Sequence, residues 1–235
     1  MFRLKKYAWV IILVALASNS WAQSRVVQNL TTFDQKPLHF GYRLGIVGMD
    51  IDAEFNPTSQ IRGDITGMNW GFAAGLIASL RINRYMNLRA LPGLALGERV
   101  IKFNGQGPDP IGAGSKEQFT RKSTYVELPL NLKVKTRRIN NYRPYFMAGV
   151  AYRFDIAKKR DDDMVQLSRH NLFLEAGIGL DYYFQFFRYG TELKFSLGIN
   201  NLLGDTPDPT KQVPDYHDAF KSLNASMVTL SFFFE

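Results

Sequence analysis

From Met68 onward the even positions carry Met68, Trp70, Phe72, Ala74, Leu76, Ala78, Leu80 and Ile82, while the odd positions between them carry Asn69, Gly71, Ala73, Gly75, Ile77, Ser79 and Arg81. A period of two places the first set on one face of a β-strand and the small or polar set on the other. The pattern recurs at 126–134, where Val126, Leu128, Leu130, Leu132 and Val134 oppose Glu127, Pro129, Asn131 and Lys133, and again at 144–156, 172–184 and 191–199. Less regular alternation at 39–52, 88–103 and 223–235 brings the number of predicted strands to eight.

Strands of about 10–15 residues suit a tilted bilayer crossing better than the shorter strands of soluble sandwiches. The connections alternate strictly. They are long at 56–67, 104–121, 158–170 and 201–222, and short at 83–87, 136–142 and 185–189. That is the signature of a transmembrane antiparallel up-and-down β-barrel, all-β, with short periplasmic turns and long outer loops. Both chain ends then fall on the short-turn side. Aromatic girdles are expected at Tyr85, Tyr142, Phe186, Phe187 and Tyr189 near the short turns, and at Trp70, Phe103, Phe119, Tyr125 and Phe154 near the long loops. The last strand ends on Val228, Leu230, Phe232 and Phe234, resembling the terminal signal read by the barrel-assembly machinery, with Glu235 in place of the usual final Phe.

The N-terminus has a different grammar. Arg3, Lys5 and Lys6 precede an apolar run from Tyr7 to Ala17 and a polar stretch ending Ser20-Trp21-Ala22, the three-part layout of a cleavable signal peptide. The run is too short for a spanning helix, and no later run of 18 apolar residues exists. The expected organisation is therefore a signal peptide at 1–22, a periplasmic arm at 23–38 and a barrel at 39–235. Losing residues 1–22 removes three basic and no acidic side chains, lowering the net charge from +8 to +5. The remaining basic residues are scattered, without the dense stripe that nucleic-acid binding needs. The chain has no cysteine, so neither a disulfide framework nor a lipidated N-terminal cysteine is expected.

If the apolar face meets lipid, the opposite face sends Arg43, Arg81, Arg89, Glu127, Lys133, Arg153, Glu175, Asp181, Glu192 and Lys194 into the lumen. A lipid-facing Arg or Lys near mid-membrane would cost about 2–4 kcal/mol, so the restriction of charge to one face supports the assignment. Eight strands enclose a lumen that side chains fill, and a mixed-sign set inside it should pair as a structural network rather than line a general pore. Inward Gly71, Gly75, Gly177, Gly179 and Gly198 are expected to leave room for the long Arg and Lys side chains.

Candidate chemistry is sparse. The histidines are His39, His170 and His217; Ser168, His170 and Glu175 superficially suggest a hydrolytic triad, but His170 and Glu175 are five apart and fall on opposite strand faces. Asp161-Asp162-Asp163 could attract Ca²⁺, yet Lys158, Lys159 and Arg160 beside it favour a solvated loop tip or a lipopolysaccharide contact. No catalytic, metal or cofactor site is expected. The last long loop, with Pro207, Pro209, Pro214, Asp205 and Asp208, reads as a turn-rich excursion able to fold over the mouth or meet a partner.

Three segments carry a family resemblance: Phe33-Asp34-Gln35-Lys36-Pro37-Leu38-His39-Phe40-Gly41, the strand VELPLNLKVK at 126–135, and NNYRPYFMAGVAYRFDIA at 140–157. Together they resemble the PorT family of outer-membrane barrels associated with type IX secretion; the two later segments also resemble a broader group of outer-membrane barrels. The resemblance implies a non-enzymatic component of type IX secretion or its assembly, with no catalytic or ligand residue to transfer. A general small barrel that binds surface ligands or stabilises the envelope is the other expectation. The partners implied are outer-membrane lipid and lipopolysaccharide, the barrel-assembly machinery and other type IX components, and not nucleic acid.

Overall fold

The computed structural model describes residues 27–55, 62–65, 69–104, 117–157, 168–201 and 220–235. Ten strand segments make eight staves: β1 (Leu38–Phe55), β3 (Asn69–Arg81), β4 (Met86–Ala90) with β5 (Gly93–Asn104), β6 (Glu117–Lys135), β7 (Tyr142–Asp155), β8 (His170–Tyr183), β9 (Arg188–Gly198) and β10 (Phe220–Phe234). The short β2 (Arg62–Ile65) lies within the predicted long loop 56–67 and extends the sheet by pairing Arg62 with Asn104. Each stave pairs antiparallel with its neighbours, and β1 pairs with both β3 and β10, which closes the barrel.

The predicted strand 88–103 is one stave in two pieces. Its register runs through the gap unshifted on both sides, since Ala90 and Gly93 continue the same pairing against β3 and against β6. The interruption has a chemical cause. Pro92 has no N–H to give β3, and Pro129, whose carbonyl accepts from Leu91 at 3.1 Å, has none to give back. At its other end β6 begins at Glu117, so the strand takes up the last residues of the predicted loop 104–121.

The burial pattern is the reverse of a water-soluble protein. Arg43, Arg89, Arg153 and Lys194 are almost fully buried, while Phe72, Leu76, Phe146, Leu174 and Leu197 are exposed on the outer wall. Large apolar side chains covering a whole outer surface fit a hydrocarbon solvent and not water. An outward aromatic chain crosses five staves near the short-turn rim: Tyr142–Tyr182 at 5.3 Å between ring centroids, Tyr182–Tyr189 at 5.9 Å, Tyr189–Phe234 at 5.3 Å and Phe234–Tyr42 at 5.1 Å. Trp70 is exposed towards the opposite rim. Tyr125 departs from the expected girdle. It shares the parity of Glu127 and is buried inside the barrel, because strand parity and not nearness to a loop decides which wall a ring faces.

The inward glycines also have a different reason from the one expected. A Cβ on Gly75 would meet the Pro92 carbonyl at 2.6 Å, and one on Gly93, its cross-strand partner, would meet the Ala74 carbonyl at 2.5 Å. At Gly179 a Cβ would overlap the Tyr145 ring. These glycines permit close strand approach and one aromatic ring, rather than making space for Arg and Lys.

Candidate functional site

The lumen is filled by ion pairs in three connected tiers, each fixed by side chains of inward parity. Nearest the long loops, Glu127 accepts from Arg43 at 2.6 Å and from Arg153 at 2.7 Å, and Arg153 continues to Glu175 at 2.8 Å. Glu175 also accepts from Lys194 (2.9 Å), Asn131 (3.1 Å) and Ser196 (3.1 Å). In the next tier Arg89 on β4 reaches Glu192 on β9, which lies four staves away in either direction and so across the full lumen. The Tyr145 hydroxyl donates to the same carboxylate at 2.9 Å, and the Arg89 guanidinium lies 4.5 Å from the Phe233 ring centroid. In the third tier, towards the short turns, Lys133 donates to both oxygens of Asp181 at 2.8 Å, with its ammonium 3.7 Å from the Tyr145 ring centroid. Arg188 stands 3.9 Å from Asp181 and pairs with Glu235.

Burying a charge is costly unless it is paired and hydrogen-bonded. The tiers meet that condition in part between neighbouring strands, as Arg153 does with Glu127 and Glu175 and Lys194 with Glu175, and in part across the lumen, where Arg89–Glu192 ties opposite walls together. Several inner nitrogens (Arg43 Nε, Arg89 Nε and Nη1, Arg153 Nη1) have no hydrogen-bond partner among the described residues.

The short-turn mouth is covered by residues 27–37. A single 3₁₀ turn, Phe33–Gln35, points the Asp34 carboxylate at the barrel. Arg143 meets it at 3.0 Å, Lys135 at 3.8 Å and Arg188 at 4.0 Å, and the Tyr183 hydroxyl donates at 3.0 Å and 3.1 Å. Phe33 stacks on His39 at 4.4 Å between ring centroids, with the Arg188 guanidinium 4.8 Å from its ring. The backbone is tied at the 136–141 turn. Asn29 N–H donates to Asn141 Oδ1 at 3.0 Å, Asn141 Nδ2 donates to the Val27 carbonyl at 3.0 Å, and Arg138 donates to the Asn29 carbonyl. Partial burial in this turn pushes the Arg138 guanidinium below its ordinary pKa, against the opposing pull of Tyr183 and Asp34.

Nine of the ten predicted lumen charges meet in this network: Arg43, Arg89, Glu127, Lys133, Arg153, Glu175, Asp181, Glu192 and Lys194. Arg81 does not. It has inward parity but is the last residue of β3, and its Nη1 donates to the Gln35 carbonyl at 3.0 Å, so it holds the arm at the rim. Sequence reasoning passed over Lys135, Arg143, Arg188, Tyr145, Asn131, Asp34 and Glu235. Lys135 and Arg143 carry inward parity on either side of the predicted turn 136–142, and Arg188 precedes a strand predicted to start at 191. Glu235, read as a departure from a terminal signal, turns inward as the counter-ion of Arg188.

Ser168, His170 and Glu175 do not converge. His170 sits on the outer wall with its Nδ1 2.5 Å from the Tyr152 hydroxyl, while Glu175 is sealed inside. Among the described residues no three His, Cys, Asp or Glu side chains cluster as metal ligands. Residues 1–22, Lys158–Lys159–Arg160, Asp161–Asp162–Asp163, the 202–219 stretch with its prolines, and His217 lie outside the described residues.

Several solved outer-membrane proteins align with this chain. OprG from Pseudomonas aeruginosa aligns with a TM-score of 0.46 at 10% identity, covering 83% of this chain and 92% of its own. Neisserial surface protein A aligns at 0.44 and 10% identity, over 84% of this chain and 98% of its own. Ail, the attachment invasion locus protein of Yersinia pestis, aligns at 0.35 and 10%, over 85% and 98%. No curated protein matches the sequence. Residues 21–204 match the family described as outer membrane protein beta-barrel domain, and with the inverted burial and the closed eight-stave sheet this chain belongs to that family and resides in the outer membrane.

Proposed function

We propose that this barrel is a non-enzymatic scaffold of the outer membrane that works through its two rims, and that the process it serves is type IX secretion or the assembly of that machinery. The observation that carries the scaffold reading is the lumen. Buried ion pairs fill it in three tiers, one of them reaching from wall to opposite wall, and residues 27–37 cover the periplasmic end. A salt-bridge network that occupies the lumen is what an eight-stranded barrel uses to fill itself, not what a solute path uses. The assignment to type IX secretion rests on the PorT-like stretch 33–41, whose Phe33 and Asp34 are the residues seated on the barrel mouth.

A second reading, a general small barrel for surface-ligand binding or envelope stability, is favoured by the breadth of the family match, which specifies a barrel domain and no pathway. In either case the contacts proposed are with outer-membrane lipid, lipopolysaccharide and the barrel-assembly machinery, with other type IX components added in the first. Deleting the gene and locating type IX cargo, with a plasmid-borne copy as control, separates the two. Unprocessed cargo trapped in the periplasm and restored by the plasmid places the barrel in secretion. Normal surface delivery leaves the general reading.

A further inference from the structure

The arm and its seat are built differently. None of residues 27–38 is buried, so the arm adds nothing to the packed interior. The side chains receiving Asp34 belong to the barrel wall, and with the arm in place Lys135 and Arg188 are each 2% exposed and Arg143 is 6%. A cationic seat carried by the wall is thus filled by a surface strap.

Charge favours that filling. Among the described residues the buried charged side chains are eight cations (Arg43, Arg89, Lys133, Lys135, Arg143, Arg153, Arg188, Lys194) but six anions (Glu127, Asp155, Glu175, Asp181, Glu192, Glu235). Glu235 offsets Arg188, and Asp34 is the one carboxylate within ion-pair distance of Lys135 and Arg143 among the described residues. Lifting the arm would strip Lys135 and Arg143, with Arg188 beside them, of the Asp34 carboxylate and open a positively charged mouth that favours another anion in its place. An acidic group is therefore the best replacement for the arm. The seat reads more than charge: Tyr183 fixes the carboxylate from one side, and the slot between His39 and Arg188 takes the ring of the preceding residue. A cation over an aromatic face and a stacked imidazole select an aromatic neighbour for the aspartate.

We propose that the periplasmic mouth is a receptor for an acidic peptide segment of a partner protein, one in which an aromatic residue directly precedes an aspartate, and that the chain's own arm fills this receptor in cis. The inference does not depend on the secretion assignment; it concerns what the mouth binds, whichever pathway uses it.

The test uses the full-length barrel refolded in detergent micelles, with folding checked by heat-modifiable gel mobility, and a fluorescent peptide carrying residues 27–37. In the wild type the peptide competes with an arm whose effective concentration is on the order of millimolar, so binding is weak. Asp34→Ala removes the competitor's carboxylate and should tighten peptide binding by about tenfold or more, while replacing the peptide's aspartate by asparagine should lose about the same factor. Should Asp34→Ala fail to fold, Asp34→Asn, which keeps the side-chain shape, takes its place. Equal affinity for wild-type and variant barrels, or for the Asp and Asn peptides, would overturn the proposal. So would displacement of the peptide by acetate or inorganic phosphate at the peptide's own concentration, because the seat would then bind a bare anion.

Discussion

The Arg89–Glu192 pair offers the sharpest test of the lumen as a structural network, because it crosses the full barrel and each side chain is 1% exposed. Changing Glu192 to Leu removes the carboxylate and leaves the guanidinium buried, with Nε and Nη1 already without an acceptor among the described residues. Breaking a buried ion pair by deleting one partner costs about 3–5 kcal/mol. The Tyr145 hydroxyl loses its acceptor as well, adding about 1 kcal/mol or more. The Phe233 ring, 4.5 Å from the guanidinium, contributes about 2 kcal/mol at most and is present before and after, so it does not compensate. The double variant Arg89→Met with Glu192→Leu removes both charges at similar volume and should return to within about 1–2 kcal/mol of wild type. Tyr145→Phe should remove most of what remains. Equilibrium unfolding in urea, with the barrel in lipid vesicles and followed by tryptophan fluorescence, measures each value. A single variant that loses less than about 1 kcal/mol, or a double variant as unstable as the single, would refute the claim that pairing rather than mere filling holds the lumen.

Three further outcomes follow from the geometry. Gly179→Ala should cost about 1–3 kcal/mol in the same assay, since its Cβ overlaps the Tyr145 ring and the flanking Thr191 carbonyl is backbone that cannot yield. Leu174→Arg, on the lipid face within β8, should lose about 2–4 kcal/mol, whereas Tyr182→Arg in the aromatic belt should lose about 0–1 kcal/mol; equal losses would contradict the membrane placement. The separation of His170 from Glu175 leads us to expect unchanged lipid A by mass spectrometry in cells overproducing the protein, and an altered lipid A would reopen the enzyme reading.

Period-two alternation made the architecture legible, because one wall meets hydrocarbon and the other meets neighbouring charges. The strands read as alternating at 68–82, 126–134, 144–156, 172–184 and 191–199 keep that parity at their described side chains. Parity also identified which charges point inward, and it would have identified Lys135 and Arg143 had their strands been extended by one residue, Arg188 had its strand been extended by three, and Glu235 from its odd position within the strand 223–235. Tyr125 was misplaced for the complementary reason: it was assigned from nearness to a loop when its odd position already put it inside. Partners were not legible. Arg43 and Glu127 are 84 residues apart and Arg89 and Glu192 are 103 apart, so their meeting depends on barrel tilt and diameter, which no local spacing encodes. Asp34 was beyond reach altogether, since a single 3₁₀ turn has no period and its seat is assembled from β6, β7, β8 and β9.

The seam between the first and last strands has a kinetic consequence. Tyr42 through Phe55 pair with Phe234 back to Phe220, so the circle cannot close until the final strand has arrived. Until then Arg43, on the first strand, has no enclosed lumen in which to reach Glu127 three staves away. An open sheet in lipid would therefore hold the Arg43 guanidinium away from its carboxylate, at a depth where a bare charge is strongly disfavoured. This distribution of charge favours closing the seam before the strands reach the bilayer interior over threading them in one at a time.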